Sequence, residues 1–171
     1  MMTNRIRHPP YDVRLVANQI LDSCAISGIK LTNLSLQKVV FLIHQDFLVE
    51  TGSPLIQDEF EAWQYGPVHR VLYQAFSSNG ANYISNRALT FDRTTRQWIN
   101  IDMSIAPDTL TRILDSARFY AGMPTFLLID LTHERGSAWE RVWSQASGKI
   151  NIGMKIPNEL ILSLAEHRRT T

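Results

Sequence analysis

The chain has 171 residues, of which 44% are apolar and 19% charged, a composition typical of a globular protein and not of a disordered one. A formal net charge of +1 disfavours duplex nucleic acid as a partner, because such binding needs a broad basic surface. One cysteine, Cys24, excludes an internal disulfide and a cysteine-based zinc site. Since no segment has the length of a membrane span and the N-terminus lacks a secretory signal, we expect a cytoplasmic protein with no membrane partner.

Basic residues gather near the two ends of the chain. They are Arg5, Arg7 and His8 at the start and His167, Arg168 and Arg169 at the end. Residues near chain ends are usually solvated and frayed, so we expect a flexible tail over residues 1–10 and no basic binding patch. Nothing between them has the composition of a linker or repeat, which predicts one domain over residues 11–167.

The first predicted helix begins at the N-cap Asp12 and ends near Gly28. Cys24 belongs to its apolar stripe and is expected to be a buried, structural thiol. The stripe has helical spacing: Val13, Val16, Ala17, Ile20, Leu21 and Cys24.

A second helix is predicted from Thr32 or Asn33 to about Glu50, before Gly52. Apolar residues occupy so much of its circumference that we expect it to be largely buried and central to the fold. Its remaining strip is polar and is interpreted as a solvated face, with a contact surface as the alternative because an apolar ring lies in its middle. The strip consists of Gln37, Lys38, His44 and Gln45 around Phe41.

The stretch EAWQYGPVHRVLYQAF, residues 61–76, combines aromatic residues, a Gly-Pro step and a His-Arg pair. The alternation over residues 60–65 predicts a short extended segment. Gly66-Pro67 breaks the chain, and Pro67 is suited to the first position of a core-facing helix over about 68–76. His69 and Arg70 would then lie in its first turn, where free N–H groups attract anions. The preferred interpretation is that His69 caps or hydrogen-bonds locally and that Trp63 and Tyr65 pack on the helix, with an anion site as the alternative. For the exposed face of the helix, a structural role and contact with a partner are equal alternatives.

The second half of the chain predicts a hairpin and further helices. Residues 88–91 and 98–101 flank a polar tip and predict a β-hairpin. One helix is predicted from Pro107 to near Gly122, and another over 126–131, where a buried strand is the alternative. A third follows the S-x-x-E capping box at Ser137 and has an apolar face that extends to Ala146. The last predicted helix begins at Pro157. The sum is a mainly α fold: about seven helices around a central buried helix, with a small antiparallel β element.

The usual catalytic motifs are absent from the sequence. It contains no phosphate-binding glycine loop, no G-x-S-x-G and no HExxH, and its five histidines show no paired metal-ligand spacing. We therefore expect no enzyme activity, no metal and no cofactor. His133 and Trp139 are expected to fix a corner of the fold by stacking, in preference to a catalytic role.

An ordered set of motifs resembles one known family. Leu31-Thr32, Leu36-Gln37-Lys38 and Phe41, Gly52 to Leu55, Phe60 to Val68, Leu131 to His133 and Ser137 to Trp139 are similar to the Panacea domain, also described as GepA-like or SocA-like. The resemblance covers roughly Val13 to Ala165. It departs from the pattern at Phe41-Leu42-Ile43, where relatives often carry a tyrosine.

The resemblance implies a phage-associated antitoxin, with prophage or phage defence as its setting, that neutralises a cognate protein toxin by direct binding, masking or distorting its active site. Family toxins are diverse, and many stop translation. Members of the SocA type are proteolytic adaptors, so the alternative function is delivery of a toxin to a cellular protease. A third possible function is that of a small nucleotide-binding enzyme that uses His69, Arg70 or His133. The residues that we expect to bind the partner are Lys38, Phe41, Tyr65, His69, Arg70 and Tyr73, and the residues of the structural motif are Trp63, Gly66, Pro67, His133 and Trp139.

Overall fold

A computed structural model describes residues 6–145 and 153–170, with side chains for residues 7–145 and 153–166. Arg5, Ala146 and the side chains of His167, Arg168 and Arg169 lie outside this description. Within it, the α-helices are α1 Val13–Ile26, α2 Asn33–Thr51, α3 Arg70–Phe76, α4 Pro107–Ala121, α5 Thr125–Thr132, α6 Ala138–Gln145 and α7 Asn158–Thr170. The short strands are β1 Ile6–Arg7, β2 Phe60–Trp63, β3 Gly66–Val68, β4 Thr90–Asp92, β5 Gln97–Ile99, β6 Ser104–Ile105 and β7 Lys155–Ile156.

The prediction of a mainly α fold with a small antiparallel β element is confirmed, and α2 is its centre. This helix packs against α1, α3, α4, α5 and α7. Its start is fixed by reciprocal hydrogen bonds between Thr32 and Ser35, and its end by Gly52 in the left-handed conformation. A helix that is enclosed around most of its circumference has no need for a single apolar stripe, which explains why apolar residues occupy so many of its positions.

The largest sheet has three antiparallel strands in the order β3-β2-β7. Here the prediction for Pro67 is wrong: it lies in β3, opposite Ala62, and the helix begins only at Arg70. Proline is accepted in this strand because β3 is an edge strand, where a missing N–H removes no ladder hydrogen bond. The strand places the Gly66-Pro67 backbone against α2.

The other elements of the second half follow the sequence patterns. Strands β4 and β5 form the predicted hairpin, and residues 125–132 are helical as preferred. Ser137 Oγ accepts the Glu140 N–H at 3.1 Å, while the Glu140 carboxylate accepts from Gly136 at 3.3 Å, one residue before the expected donor. No helix within the described residues combines the length and apolar character needed to cross a membrane.

Candidate functional site: an aromatic groove on a buried support

The polar strip of α2 is not a solvated face, so that interpretation is wrong. Gln37, Lys38 and His44 are all buried, and so is Phe41. Distant elements supply the polar partners that water was expected to supply. The His44 ring lies between Asn158 Oδ1 at 2.9 Å and the Ile56 N–H at 3.3 Å.

Lys38 is the most unusual member of this strip, since its side chain has no exposed surface. Its ammonium nitrogen donates to the carbonyl of Pro67 at 2.9 Å. Burial lowers the pKa of Lys38 to about 7, because removing a charge from water favours the neutral amine. The lysine therefore joins the middle of α2 to the Gly66-Pro67 corner.

The Gly66-Pro67 corner is also in contact with the end of α5 and the start of α6. The His133 ring stacks face to face on Trp139, with centroids 3.7 Å apart and planes 2° apart, and Trp139 Nε1 donates to the Trp63 carbonyl at 2.8 Å. The structure thus brings the five residues of the structural motif together around Lys38. Burial and the charge of Lys38 lower the pKa of His133, whose buried Nε2 has no hydrogen-bond partner.

Gly66 is necessary at the centre of this arrangement for two reasons. Its φ of +101° is a conformation that residues with a Cβ rarely adopt. A Cβ built there would lie 2.8 Å from Lys38 Cε, too close without displacement of the lysine, and 3.1 Å from His133 Nε2, which is tighter than most contacts of a Cβ. The Gly66-Pro67 corner therefore has no free space for a side chain at position 66.

His69 lies inside the fold and not on the helix surface. Its N–H donates to Gln37 Oε1 at 2.8 Å, its Nε2 is 3.0 Å from the Gln57 carbonyl, and its ring packs edge-on against Phe60. Burial lowers the pKa of this histidine. Because the N–H of His69 is occupied by Gln37, this group is not available to an anion at the start of α3, which disfavours the anion-site alternative.

Arg70 is held against the sheet by Glu61, a partner that the sequence reading missed. Its guanidinium donates to both carboxylate oxygens of Glu61, at 3.0 and 2.8 Å, and the Trp63 indole donates to the same carboxylate at 2.9 Å. Burial raises the pKa of Glu61, but the hydrogen bonds from Arg70 and Trp63 outweigh burial and hold the pKa below its usual value. These bonds fix one wall of a surface cavity.

That cavity is a groove of about 690 Å³ between the start of α2, the β2–β3 turn, α3 and α6. We call it the aromatic groove and define it by Leu34, Trp63, Tyr65, Tyr73 and Trp143. The rings of Trp63 and Tyr73 are 5.1 Å apart, and Tyr65 is 64% exposed at the rim. Such a concave, largely apolar surface with a few polar groups is suited to receiving a side chain or segment of another molecule.

Of the six residues expected to bind a partner, the structure places Tyr65, Arg70 and Tyr73 together at the aromatic groove. Lys38, Phe41 and His69 are buried behind it. In this conformation these three have no surface to offer, so they can act on a partner only by supporting the groove.

Two residues of the groove were missed as surface residues. Leu34 is exposed in the first turn of α2, away from the buried side. The signal in the sequence was an apolar residue at a position that does not continue the apolar spacing of this helix. Trp143 belongs to the apolar face predicted for the helix after Ser137, which is expected to face the core. In the structure it is half-buried, and its ring stacks on that of Trp139 with the centroids 5.8 Å apart.

The groups that line this site are suited to the recognition of another molecule. Within residues 6–145 and 153–170, no three histidine, cysteine or carboxylate side chains are grouped so that they could hold a metal ion. Aromatic rings and the guanidinium of arginine, which this site presents, are enriched in protein–protein interfaces and their hot spots.

Comparison with known proteins agrees with this geometry. The family model described as "Antitoxin SocA-like, Panacea domain" matches residues 36–140, which include most of the central helix, the Gly66-Pro67 corner and the His133–Trp139 stack. The chain is also 35% identical over 154 residues to a protein named Antitoxin SocA from Caulobacter vibrioides (strain NA1000 / CB15N), covering 88% of this chain and 80% of that protein. No solved structure matches it significantly.

Proposed function

The chain belongs to the SocA-like antitoxin family that the Panacea domain defines, and we propose that it neutralises a protein toxin by binding the toxin directly through the aromatic groove. In this proposal it acts in the cytoplasm and catalyses no reaction. Binding masks or distorts the active site of the toxin. The observation that carries the proposal is an exposed groove with aromatic walls and a rigid, buried support.

The support matters because tight inhibition needs a surface that loses little freedom when it binds. The Trp63 and Tyr65 segment is attached to α2 through the Lys38–Pro67 bond and to α6 through the Trp139–Trp63 bond. Two hydrogen bonds to the Glu61 carboxylate fix the Arg70 guanidinium beside this segment. A toxin therefore meets a wall that is already ordered.

The groove also predicts what the toxin presents. Its floor is apolar, so the inserted group should be an aromatic or branched apolar side chain. Around this floor, the exposed side chains of Gln64 and Arg70 offer polar groups that suit a polar rim. Because the Arg70 charge is already paired with Glu61, we expect burial of apolar surface, and not a new ion pair, to contribute most of the affinity.

The test uses the protein encoded by the adjacent reading frame as the candidate toxin, with growth rescue and affinity as readouts. Alanine at Tyr65, Arg70 and Tyr73 together should abolish rescue and weaken binding by about 30-fold or more, the loss expected when residues of a hot spot are truncated. The matched control is Tyr83→Ala, since Tyr83 is 60% exposed but lies outside the aromatic groove. Full rescue by the folded triple variant would place the toxin contact elsewhere.

The amount of toxin separates direct masking from proteolytic delivery. Masking predicts a stable complex and undiminished toxin both in wild-type cells and in cells that lack ATP-dependent proteases. Toxin that disappears in wild-type cells and persists in the protease-deficient cells would establish the adaptor alternative.

A further inference from the structure

The β4–β5 hairpin carries a second exposed apolar surface that the proposed function does not use. Trp98 is 63% exposed, and its ring meets that of Phe91, itself 46% exposed, at 5.4 Å. Ile99 is also exposed, but it follows Trp98 in the strand and therefore lies on the other face of the hairpin. Phe91 and Trp98 thus form a small pair of exposed aromatic rings on one face, a feature suited to contact with another molecule.

The two edges of this hairpin differ in their protection. At β4, Arg14 of helix α1 donates to the Leu89 carbonyl at 3.1 Å and to Thr90 Oγ1 at 3.4 Å, so a charged side chain covers that edge. Strand β5 pairs with β4 alone among the described residues, and Gln97, Trp98 and Ile99 are all exposed. Native proteins normally protect a free edge by a short strand, charge, proline or a bulge, and of these β5 itself has only its length of three residues.

The tip of the hairpin adds a positive charge at one end of this edge. Arg93 and Arg96 are exposed, and within the described residues neither guanidinium has an ion-pair partner. The carboxylate oxygens of Asp92, the last residue of β4, accept hydrogen bonds from the Thr94 N–H and the Thr95 hydroxyl. Two guanidiniums are therefore available to an anionic group.

Arg96 occupies a position at which a residue with a Cβ is strained. Its φ is +56°, the left-handed conformation that glycine adopts without strain and that a Cβ disfavours. A glycine there would make a better turn. An arginine at a position whose backbone conformation favours glycine points to a role for its charge.

From these observations we propose that β5 is a docking edge for an extended, acidic segment of a partner protein. The segment adds as a third strand, packs an apolar side chain on Trp98 and directs its acidic end to Arg93 and Arg96. Main-chain hydrogen bonds supply affinity in this mode of recognition, and alternate side chains supply specificity. The surface is distinct from the aromatic groove, so it can be occupied by another partner or by a second region of the same one.

The test measures binding of a fluorescent nine-residue peptide, with alternating valine and threonine flanked by two glutamates at each end, to the full chain. We expect saturable binding that weakens with salt, and no binding when lysine replaces glutamate or when alternate amides are N-methylated. The Trp98→Ala variant should lose about tenfold in affinity. Equal binding of the lysine peptide, or unchanged binding to Trp98→Ala, would overturn the proposal.

Arg96→Gly separates recognition from folding, because it removes the charge while relieving the backbone. Its melting temperature should be unchanged or higher, while peptide affinity should fall about threefold to fivefold, the range for loss of an exposed ion pair. Arg118→Gln, which removes an equal charge from α4, is the matched control and should bind as the parent does. Preferential binding of single-stranded DNA, or concentration-dependent dimerisation that Trp98→Ala abolishes, would assign the edge to a different occupant and refute the acidic segment.

Discussion

The aromatic groove and the β4–β5 hairpin present similar side chains on opposite kinds of support. The Trp63–Tyr73 and Phe91–Trp98 ring pairs have nearly the same separation, 5.1 and 5.4 Å. Behind the first pair lie a buried lysine, a stacked histidine and the central helix. The second pair is carried by two three-residue strands that pair only with each other among the described residues.

This difference separates two ways of achieving recognition. A wall fixed by the core loses little entropy on binding and favours a tight, inhibitory complex. A two-stranded hairpin is marginally stable by itself and gains its order when a third strand joins it. The same aromatic chemistry is therefore expected to give a rigid site in one region and an adaptable one in the other.

Gly66→Ala is the strongest test of the rigid side of this comparison. The new Cβ would meet Lys38 Cε at 2.8 Å and His133 Nε2 at 3.1 Å, at a φ that already disfavours it. We expect the free energy of unfolding to fall by about 3 kcal/mol or more, since strain and overpacking add. Urea unfolding measures it, and toxin binding should weaken in parallel because Tyr65 is the adjacent residue.

Gly28→Ala is the control for the backbone contribution alone. Gly28 has a φ of +71° but no atom within 4 Å of the position of a new Cβ, so it should lose about 1 kcal/mol. Equal losses at Gly28 and Gly66 would show that the corner is not tightly packed, and the contrast between groove and hairpin would disappear.

Local patterns in the sequence predict most of the fold, because helices and hairpins have periods that a single segment reveals. Apolar spacing predicts α1 and α4, and the polar tip at residues 92–96 predicts the β4–β5 hairpin. The boundary at Pro67 was misplaced because proline is suited equally to a first helical position and to an edge strand. Only the pairing with β2 decides between these two environments.

The support of the groove was not predictable in the same way. A polar strip on a helix has the same period whether it faces water or a distant carbonyl, so the burial of Lys38 depends on β3, 29 residues away. The Glu61–Arg70 pair likewise joins two elements whose separation in space no local pattern gives. Sequence thus identified Tyr65, Arg70 and Tyr73 as candidates but did not reveal what holds them.

A pH titration of stability tests whether Lys38 is as enclosed as the corner requires. Its folded pKa of about 7 lies below the unfolded value of 10.5, so the unfolded chain binds more protons between these pH values. Stability should therefore rise with pH, by about 2 kcal/mol between pH 7 and 9. Measurements stop at pH 9 because burial raises the pKa of Cys24 and of Tyr120, which reverses the trend at higher pH.

Lys38→Met should remove this rise, leaving a nearly flat profile in urea unfolding at pH 7, 8 and 9. The variant also leaves the Pro67 carbonyl without its donor, so at pH 9 it should be less stable than the parent by about 1–3 kcal/mol. Lys30→Met, on an exposed residue, is the control and should keep the rise. A profile that rises equally in Lys38→Met would mean that another group titrates and that Lys38 is not the charge enclosed beneath the groove.

Phe91→Ala addresses the adaptable side of the comparison, where the global effect is smallest. Because Phe91 packs on Trp98 at the surface, its removal should lower the free energy of unfolding by only about 0.5 kcal/mol. The local effect should be larger: amide hydrogen exchange across residues 90–99 should accelerate toward that of an unstructured peptide, while the amides of α2 stay protected. Phe119→Ala, which removes an exposed ring from α4, outside the hairpin, should change neither quantity. If the hairpin amides of Phe91→Ala exchange as slowly as those of the parent, the hairpin is rigid without its aromatic pair, and its proposed ordering by a partner strand fails.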